Sequence, residues 1–202
     1  MHLRAPAALT VAAAQRMLDE RTWSHPGTAV RREQGGLCVI AVRAFAAGET
    51  IYSADVLTLP DAEHEFGAHV LVDGKAERIE LGPQHTVRFD GTRWIDVPGC
   101  LLNHACEPTT ASVFSQPDGP DGALRYDQIA LVALQPGDEL TCDYTRFDWG
   151  DDGLAFACAC ASPDCHGWID GFGGLPRSVQ ERTADTATME SARRWALSGL
   201  ED

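Results

Sequence analysis

The sequence is poor in basic residues and has no long apolar run and no regular repeat. Sixteen Lys and Arg stand against thirty Asp and Glu, for a formal net charge of −14. Binding that depends on neutralising phosphates needs the opposite sign, so direct association with nucleic acid is not expected. A basic partner is compatible with this charge, and so is plain solubility. No apolar stretch reaches the length that crosses a bilayer, so no membrane association is expected. Near the N-terminus the Ala-rich patch is broken by "AAAQRMLDER", which is charged and amphipathic and unlike the apolar centre of a signal peptide. A cytoplasmic location is the expectation. No self-similarity occurs at the spacing of solenoid repeats.

The chain also lacks an even number of cysteines. Seven cysteines without an export signal point to thiols and metal rather than to a disulfide framework. Cys38, Cys100, Cys106 and Cys142 are scattered, whereas Cys158, Cys160 and Cys165 crowd into "FACACASPDCHGW". A tetrahedral metal site takes four ligands, so the cluster is one short. His166, next to Cys165, is one candidate for the missing ligand. Three unrelated buried thiols is the structural alternative.

With 202 residues, 44% hydrophobic and 23% charged, the chain suits one domain with terminal appendages. Residues 10–22 predict a helix, with Thr10 as cap and Val11, Ala14 and Leu18 on one face. "SHPG" then breaks the chain. From there to about residue 144 the pattern is mostly strand: "LCVIAV" and "TIYSADVLTL" flank a turn at Gly48, and Asp73-Gly74 and Asp90-Gly91 each sit between β-type runs, a strong hairpin signal. "SQPDGPDGA" reads as a surface loop, and "LRYDQIALVAL", "QPGDE" and "LTCDY" as strand, turn, strand. The tail at 188–200 predicts a helix, with Met189, Ala192, Ala196 and Leu200 at helical spacing. The fold class is mostly β with peripheral helices.

Four strings occur in order: "GGLCVIAVRAFAAGETI" (35–51), "LLNHACEPTTASV" (101–113), "IALVALQPGDELTCDY" (129–144) and "FACACASPDCHGWI" (156–169). Together they resemble a SET domain followed by a post-SET cysteine motif, over about residues 30–172. The resemblance implies several small sheets with a C-terminal pseudoknot and a zinc lobe. It divides the chain into an N-terminal helical extension (1–29), a SET domain (30–146), a post-SET zinc-binding segment (147–174) and a C-terminal helical tail (175–202). It implies an S-adenosyl-L-methionine-dependent N-methyltransferase whose acceptor is a lysine in a protein or peptide. A small-molecule or modified-peptide amine acceptor, or a catalytically silent binding module, remain alternatives. The pattern is silent on oligomeric state.

By the resemblance, Cys106 of "NHAC" is the fourth ligand of a structural zinc with Cys158, Cys160 and Cys165. Gly36, Leu37, Cys38, Asn103, His104 and Tyr144 are implied around the cofactor. In isolation, Asn103 reads equally as a turn cap and His104 as a satisfied core histidine. Tyr144 is the implied catalytic residue, its alternative being a strand-ending core tyrosine. A lysine acceptor with a pKa of about 10.4 costs about 4–5 kcal/mol to deprotonate at neutral pH, and a cationic neighbour and desolvation reduce that cost. A rigid phenol orients the amine without attacking. Cys142 and Trp168 are implied in the substrate channel; packing beneath the zinc lobe is the alternative for Trp168.

The chain departs from the family strings at Cys38, where a second glycine is usual, at Cys100, often an arginine, and at Thr109, usually a second asparagine. Cys142 replaces an aromatic residue and is smaller and a weaker donor. A roomier channel, permissive for several methylations or for a non-lysine amine, is expected.

Overall fold

The computed structural model describes residues 7–33, 36–60, 64–89, 91–116, 118, 123–150, 155–184, 187, 195 and 196. Helix α1 (Val11–Asp19) starts where the sequence predicts. The Thr10 hydroxyl accepts the Ala13 N–H at 3.2 Å, satisfying one first-turn donor. Ala14 and Leu18, one turn apart, are fully buried, and Val11 packs at the margin of the same core. The helix stops short of residue 22 because Trp23 turns back under it, its indole N–H donating to Leu18 O at 3.0 Å.

Fifteen strands follow among the described residues. Through residue 60 they are β1 (Thr22–Trp23), β2 (Thr28–Glu33), β3 (Gly36–Ala41), β4 (Thr50–Asp55) and β5 (Leu57–Pro60). Next come β6 (Phe66–Val72), β7 (Lys75–Leu81), β8 (Val87–Phe89), β9 (Thr92–Ile95) and β10 (Asn103–His104). The last are β11 (Thr110–Ser115), β12 (Arg125–Ala130), β13 (Glu139–Cys142), β14 (Phe156–Ala157) and β15 (Trp168–Ile169). The largest sheet has the order β1-β6-β2-β3-β13-β10, with β7 on β6. Smaller sheets are β11-β12-β4, β5-β9-β8 and the pair β14-β15. The fold class is thus the one the sequence implies: mostly β, in several small sheets.

Both Asp-Gly hairpins form. Asp73 and Gly74 have φ of 49° and 76°, the left-handed pair that a two-residue turn between twisted strands requires. Gly91, with φ of 70°, lies between β8 and β9, whose ladder closes at Phe89 opposite Thr92; Asp90 lies outside the described residues. β7 occupies a sheet edge, and its charged residues Lys75, Glu77, Arg78 and Glu80 suit a strand open on one side. The run 50–59 is not one strand: Val56 leaves it to donate to Leu124 O at 2.9 Å, so β4 and β5 join different sheets.

The position of β13 matters most. It inserts between β3, antiparallel, and β10, parallel, bringing "GGLC", "NHAC" and "LTCDY" side by side. Leu140 anchors it in the core with no exposed surface, and Leu18, Leu59, Leu81, Ile95 and Leu134 are equally buried. Helix α2 (Arg177–Thr183) follows Pro176, and Gln180 Nε2 donates to Phe172 O at 2.9 Å. The helix expected at 188–200 lies outside the described residues except for Trp195 and Ala196, which are helical.

Leu140→Ala leaves a cavity in the strand that joins the site, and chemical denaturation should show a loss of about 2–5 kcal/mol.

Candidate active site and thiol cluster

The zinc-motif residues converge. The Sγ atoms of Cys106, Cys158, Cys160 and Cys165 all lie within 4.8 Å of one another, and Cys106 and Cys158 are 3.7 Å apart. A tetrahedral ion with metal–sulfur bonds of about 2.3 Å sets sulfur–sulfur edges of about 3.8 Å. Backbone amides point at the sulfurs: His166 N to Cys106, Gly167 N to Cys165 and Cys160 N to Cys158, each at 3.4 Å. Such donors stabilise thiolates. Ala161 has a φ of 56°, and this turn follows Cys160. Backbone N–H donors from Cys106 and Ser162 pull the Cys160 thiol down to about 6, whereas burial raises Cys106 and Cys158. Four sulfurs this close do not all ionise without a cation between them. The donor set fits a closed, structural zinc site, with His166 contributing its backbone N–H to a sulfur.

His104 ties this cluster to Tyr144. Its Nδ1 accepts the Tyr144 backbone N–H at 3.1 Å, so the ring proton resides on Nε2, which faces Cys106 Sγ at 3.3 Å. Both ring nitrogens are therefore used inside the protein, and only the backbone of His104 is left for a cofactor. Burial lowers the pKa of the ring, in keeping with the neutral form. Asn103 lies on the other face of β10, exposed, with Nδ2 donating to Leu37 O at 3.0 Å and to Glu139 Oε1 at 2.8 Å. These bonds gather Leu37, Asn103 and the start of β13 into one ledge, with Gly36 exposed beside it. Cys38 instead turns inward, 3% exposed, its thiol directed at Arg31 O at 3.6 Å.

On the opposite side is a cavity of about 120 Å³. Leu102, Cys142, Tyr144, Phe156 and Ile169 form one wall, and Asp96, Gly99 and Tyr126 line it too. Tyr144 opens a short 3-10 turn, and its hydroxyl donates to Leu102 O at 2.6 Å. Burial pushes its pKa up, so it is a neutral phenol whose lone pairs remain to accept. Its ring packs near His104 and Phe156, centroids 5.3 and 6.1 Å away.

Trp168 is not among the residues lining the cavity; it is 58% exposed. In the β14–β15 pair it stands opposite Ala157, while Phe156 stands opposite Ile169; since sides alternate along a strand, Phe156 and Ile169 are the pair that reaches the cavity. Phe156 was missed in the sequence, although it lies two residues before Cys158 and its position follows from the alternation. Asp96 and Gly99, from the turn after β9, and Tyr126, from β12, carried no signal, because they lie outside the four strings.

A β-built domain that gathers four thiols beside a half-buried tyrosine is now defined. The SET domain family model matches residues 36–145, just over half of the chain, and the chain belongs to that family. It is 36% identical over 84 residues to Histone-lysine N-methyltransferase Set2 of Drosophila melanogaster, covering 42% of this chain and 3% of that protein. It is 30% identical over 70 residues to the Histone-lysine N-methyltransferase, H3 lysine-4 specific, of Cryptococcus neoformans, covering 35% and 5%. A match to a protein of the same description from Debaryomyces hansenii is 23% identical over 137 residues, 64% of this chain and 12% of that one. The chain thus spans only a small part of the curated relatives it matches. No helix among the described residues is long and apolar enough to cross a membrane.

Elemental analysis should find about one zinc per chain, and Cys158→Ser should lower that content severalfold. Chelation should expose the 156–169 hairpin to protease while the β core keeps its far-ultraviolet circular dichroism.

Proposed function

We propose that this chain is an S-adenosyl-L-methionine-dependent N-methyltransferase acting on a lysine of a protein or peptide. The observation that carries the reading is the place of Tyr144 between two surfaces. Its backbone is held by His104 of the "NHAC" strand, and its ring forms a wall of the cavity. When bound, the cofactor supplies an electrophilic methyl group on a sulfonium. Gly36, Leu37, Asn103 and the His104 backbone would hold it at the ledge, where the Glu139 carboxylate bonded to Asn103 has the sign to attract a cationic donor. The family and the histone methyltransferases it resembles support this reading.

On the cavity side, Tyr144 orients the acceptor. Its hydroxyl hydrogen is spent on Leu102 O, so its oxygen accepts from the acceptor amine and fixes the direction of the nitrogen lone pair. Phe156 and Ile169 exclude water on one side. Residues 147–174, read as the post-SET segment, would hold structural zinc through Cys106, Cys158, Cys160 and Cys165, and that ion would fix the wall that Phe156 forms. The reduced thiols suit the cytoplasm.

Methylation of a cell lysate, read by mass spectrometry, should label protein, and Tyr144→Phe should reduce labelling by about 10²-fold. Equal labelling by both would remove Tyr144 from the reaction. The chain has a single lysine, Lys75, so Lys75→Arg abolishes any lysine self-labelling and isolates the signal from true acceptors.

Cys142 is 5% exposed and borders the cavity. We infer that its small side chain leaves room for successive methyl groups. Wild type should yield di- and trimethylated product over time, and Cys142→Tyr should shift the distribution toward monomethylation. Strict monomethylation by wild type would refute the roomy channel.

A further inference from the structure

Asp96 is a carboxylate set into an otherwise largely apolar cavity wall. Its side chain is 8% exposed, and it comes from the turn after β9, just ahead of the "LLNHACEPTTASV" string. His25, 11% exposed, directs Nε2 at both carboxylate oxygens, 2.9 and 3.1 Å away, and stacks on Tyr52 with ring centroids 3.8 Å apart. The Tyr52 hydroxyl lies 2.8 Å from that of Tyr126 and 3.5 Å from Asp96 Oδ2. All three oxygens converge on Gly99. A Cβ there would lie 2.1 Å from Asp96 Oδ2, 2.7 Å from the Tyr52 hydroxyl and 2.8 Å from the Tyr126 hydroxyl. The glycine is what lets a carboxylate and two phenols meet at one point; of the three, Asp96 and Tyr126 line the cavity.

The titratable groups against Asp96 are His25 from the 24–27 turn, Tyr52 from β4, Tyr126 from β12 and Cys100; Cys142 from β13, His85, Arg88 and Asp148 line the same cavity. Burial pushes both phenols and both thiols up, so they stay neutral at physiological pH. Of Asp96 and the groups in direct contact with it, Asp96 is the one carboxylate. The histidine and Tyr52 occupy only part of a carboxylate's acceptor capacity of about four lone-pair sites. A buried charge with spare capacity at a cavity surface is a site for a cation.

We propose that Asp96 selects the acceptor of this cavity. An ammonium group on an aliphatic arm lodges against its carboxylate and surrenders a proton to it before methyl transfer. The N–H bond breaks with its electron pair left on nitrogen, and the proton joins the carboxylate to give a neutral acid beside a neutral amine. In a desolvated site that neutral pair is favoured over two charges far more than in water. The acid returns its proton to solvent when the cavity empties. Alcohols and thiols, which bring no cation, are discriminated against. The proposal rests on the methyltransferase reading, but its binding half is testable without the cofactor.

The test is a nuclear magnetic resonance titration of wild type and Asp96→Asn with n-pentylammonium chloride and, separately, 1-pentanol at pH 7.5. Wild type should bind the ammonium about tenfold or more tightly than the alcohol, and Asp96→Asn should erase the preference while binding the alcohol as before. Equal binding of the two by wild type overturns the site without recourse to any variant, and so does a preference retained by Asp96→Asn. For the proton, lysate labelling by Asp96→Asn should recover relative to wild type between pH 7 and pH 9.5, as solvent supplies more free amine. A deficit unchanged by pH overturns that half. Ammonium selection without protein labelling by wild type would sink the methyltransferase reading and leave the site; labelling without selection would do the reverse.

Discussion

The structure depends on a clasp of sulfur. Cys106 lies in the middle of the chain and Cys158, Cys160 and Cys165 near its end, yet their sulfurs fall within 4.8 Å of one another. The 156–169 segment has only a two-residue strand pair of its own, far too little to fold independently. Its order comes from being held at both ends. At one end are the thiols, with Ser162 Oγ bonded to the Glu107 carboxylate. At the other, Phe172, fully buried, donates its N–H to Asp148 O at 2.7 Å. Structural zinc in small peptides contributes an apparent 10–16 kcal/mol or so, ample for a segment of this length.

The thiol cluster and Tyr144 share one residue. His104 spends one ring nitrogen on the Tyr144 amide and the other on a clasp sulfur, so the tilt of Tyr144 is set partly from the thiol side. Phe156 adds a second link, because the strand that delivers it runs straight into Cys158. Loss of a metal held by these thiols would thus be felt as a displaced wall and a loosened tyrosine together. A neutral His104 is required, since protonating Nδ1 would cancel its bond to the Tyr144 amide.

Much of this was legible in the sequence because it is local or carried by a motif. The cap at Thr10, the turns at Asp73-Gly74 and Gly91 and the crowding of cysteines are short-range signals. Grouping Cys106 with the distant three, by contrast, needed the family pattern: periodicity holds no information about which loop a cluster meets. Trp168 lies on the exposed side of β15 while Ile169 lines the cavity, a distinction that strand alternation, counted from Phe156, decides and that residue type does not. His25, Tyr52, Asp96 and Tyr126 were illegible for another reason. They lie in four different segments, and each looks like an ordinary surface or core residue until the sheets close. The helix α2 was blurred into a broader tail because Pro176 and the polar run after it resemble loop.

The same four residues bear on the substitution at 142. A thiol there removes the aromatic ring, and with it any hydroxyl, from a position bordering the cavity. Phenols have not left the neighbourhood, however. Tyr126 lines the same cavity as Cys142, and its hydroxyl is paired with that of Tyr52, both carried on the neighbouring β11-β12-β4 sheet. Burial keeps both phenols protonated, so the pair stays neutral. The polar function is moved back by the depth of a side chain, and the space in front of it is opened. A smaller residue at 142, a residue without a side chain at 99 and a carboxylate at 96 are therefore one arrangement. Restoring bulk at either of the first two positions would fill the space in front of the third.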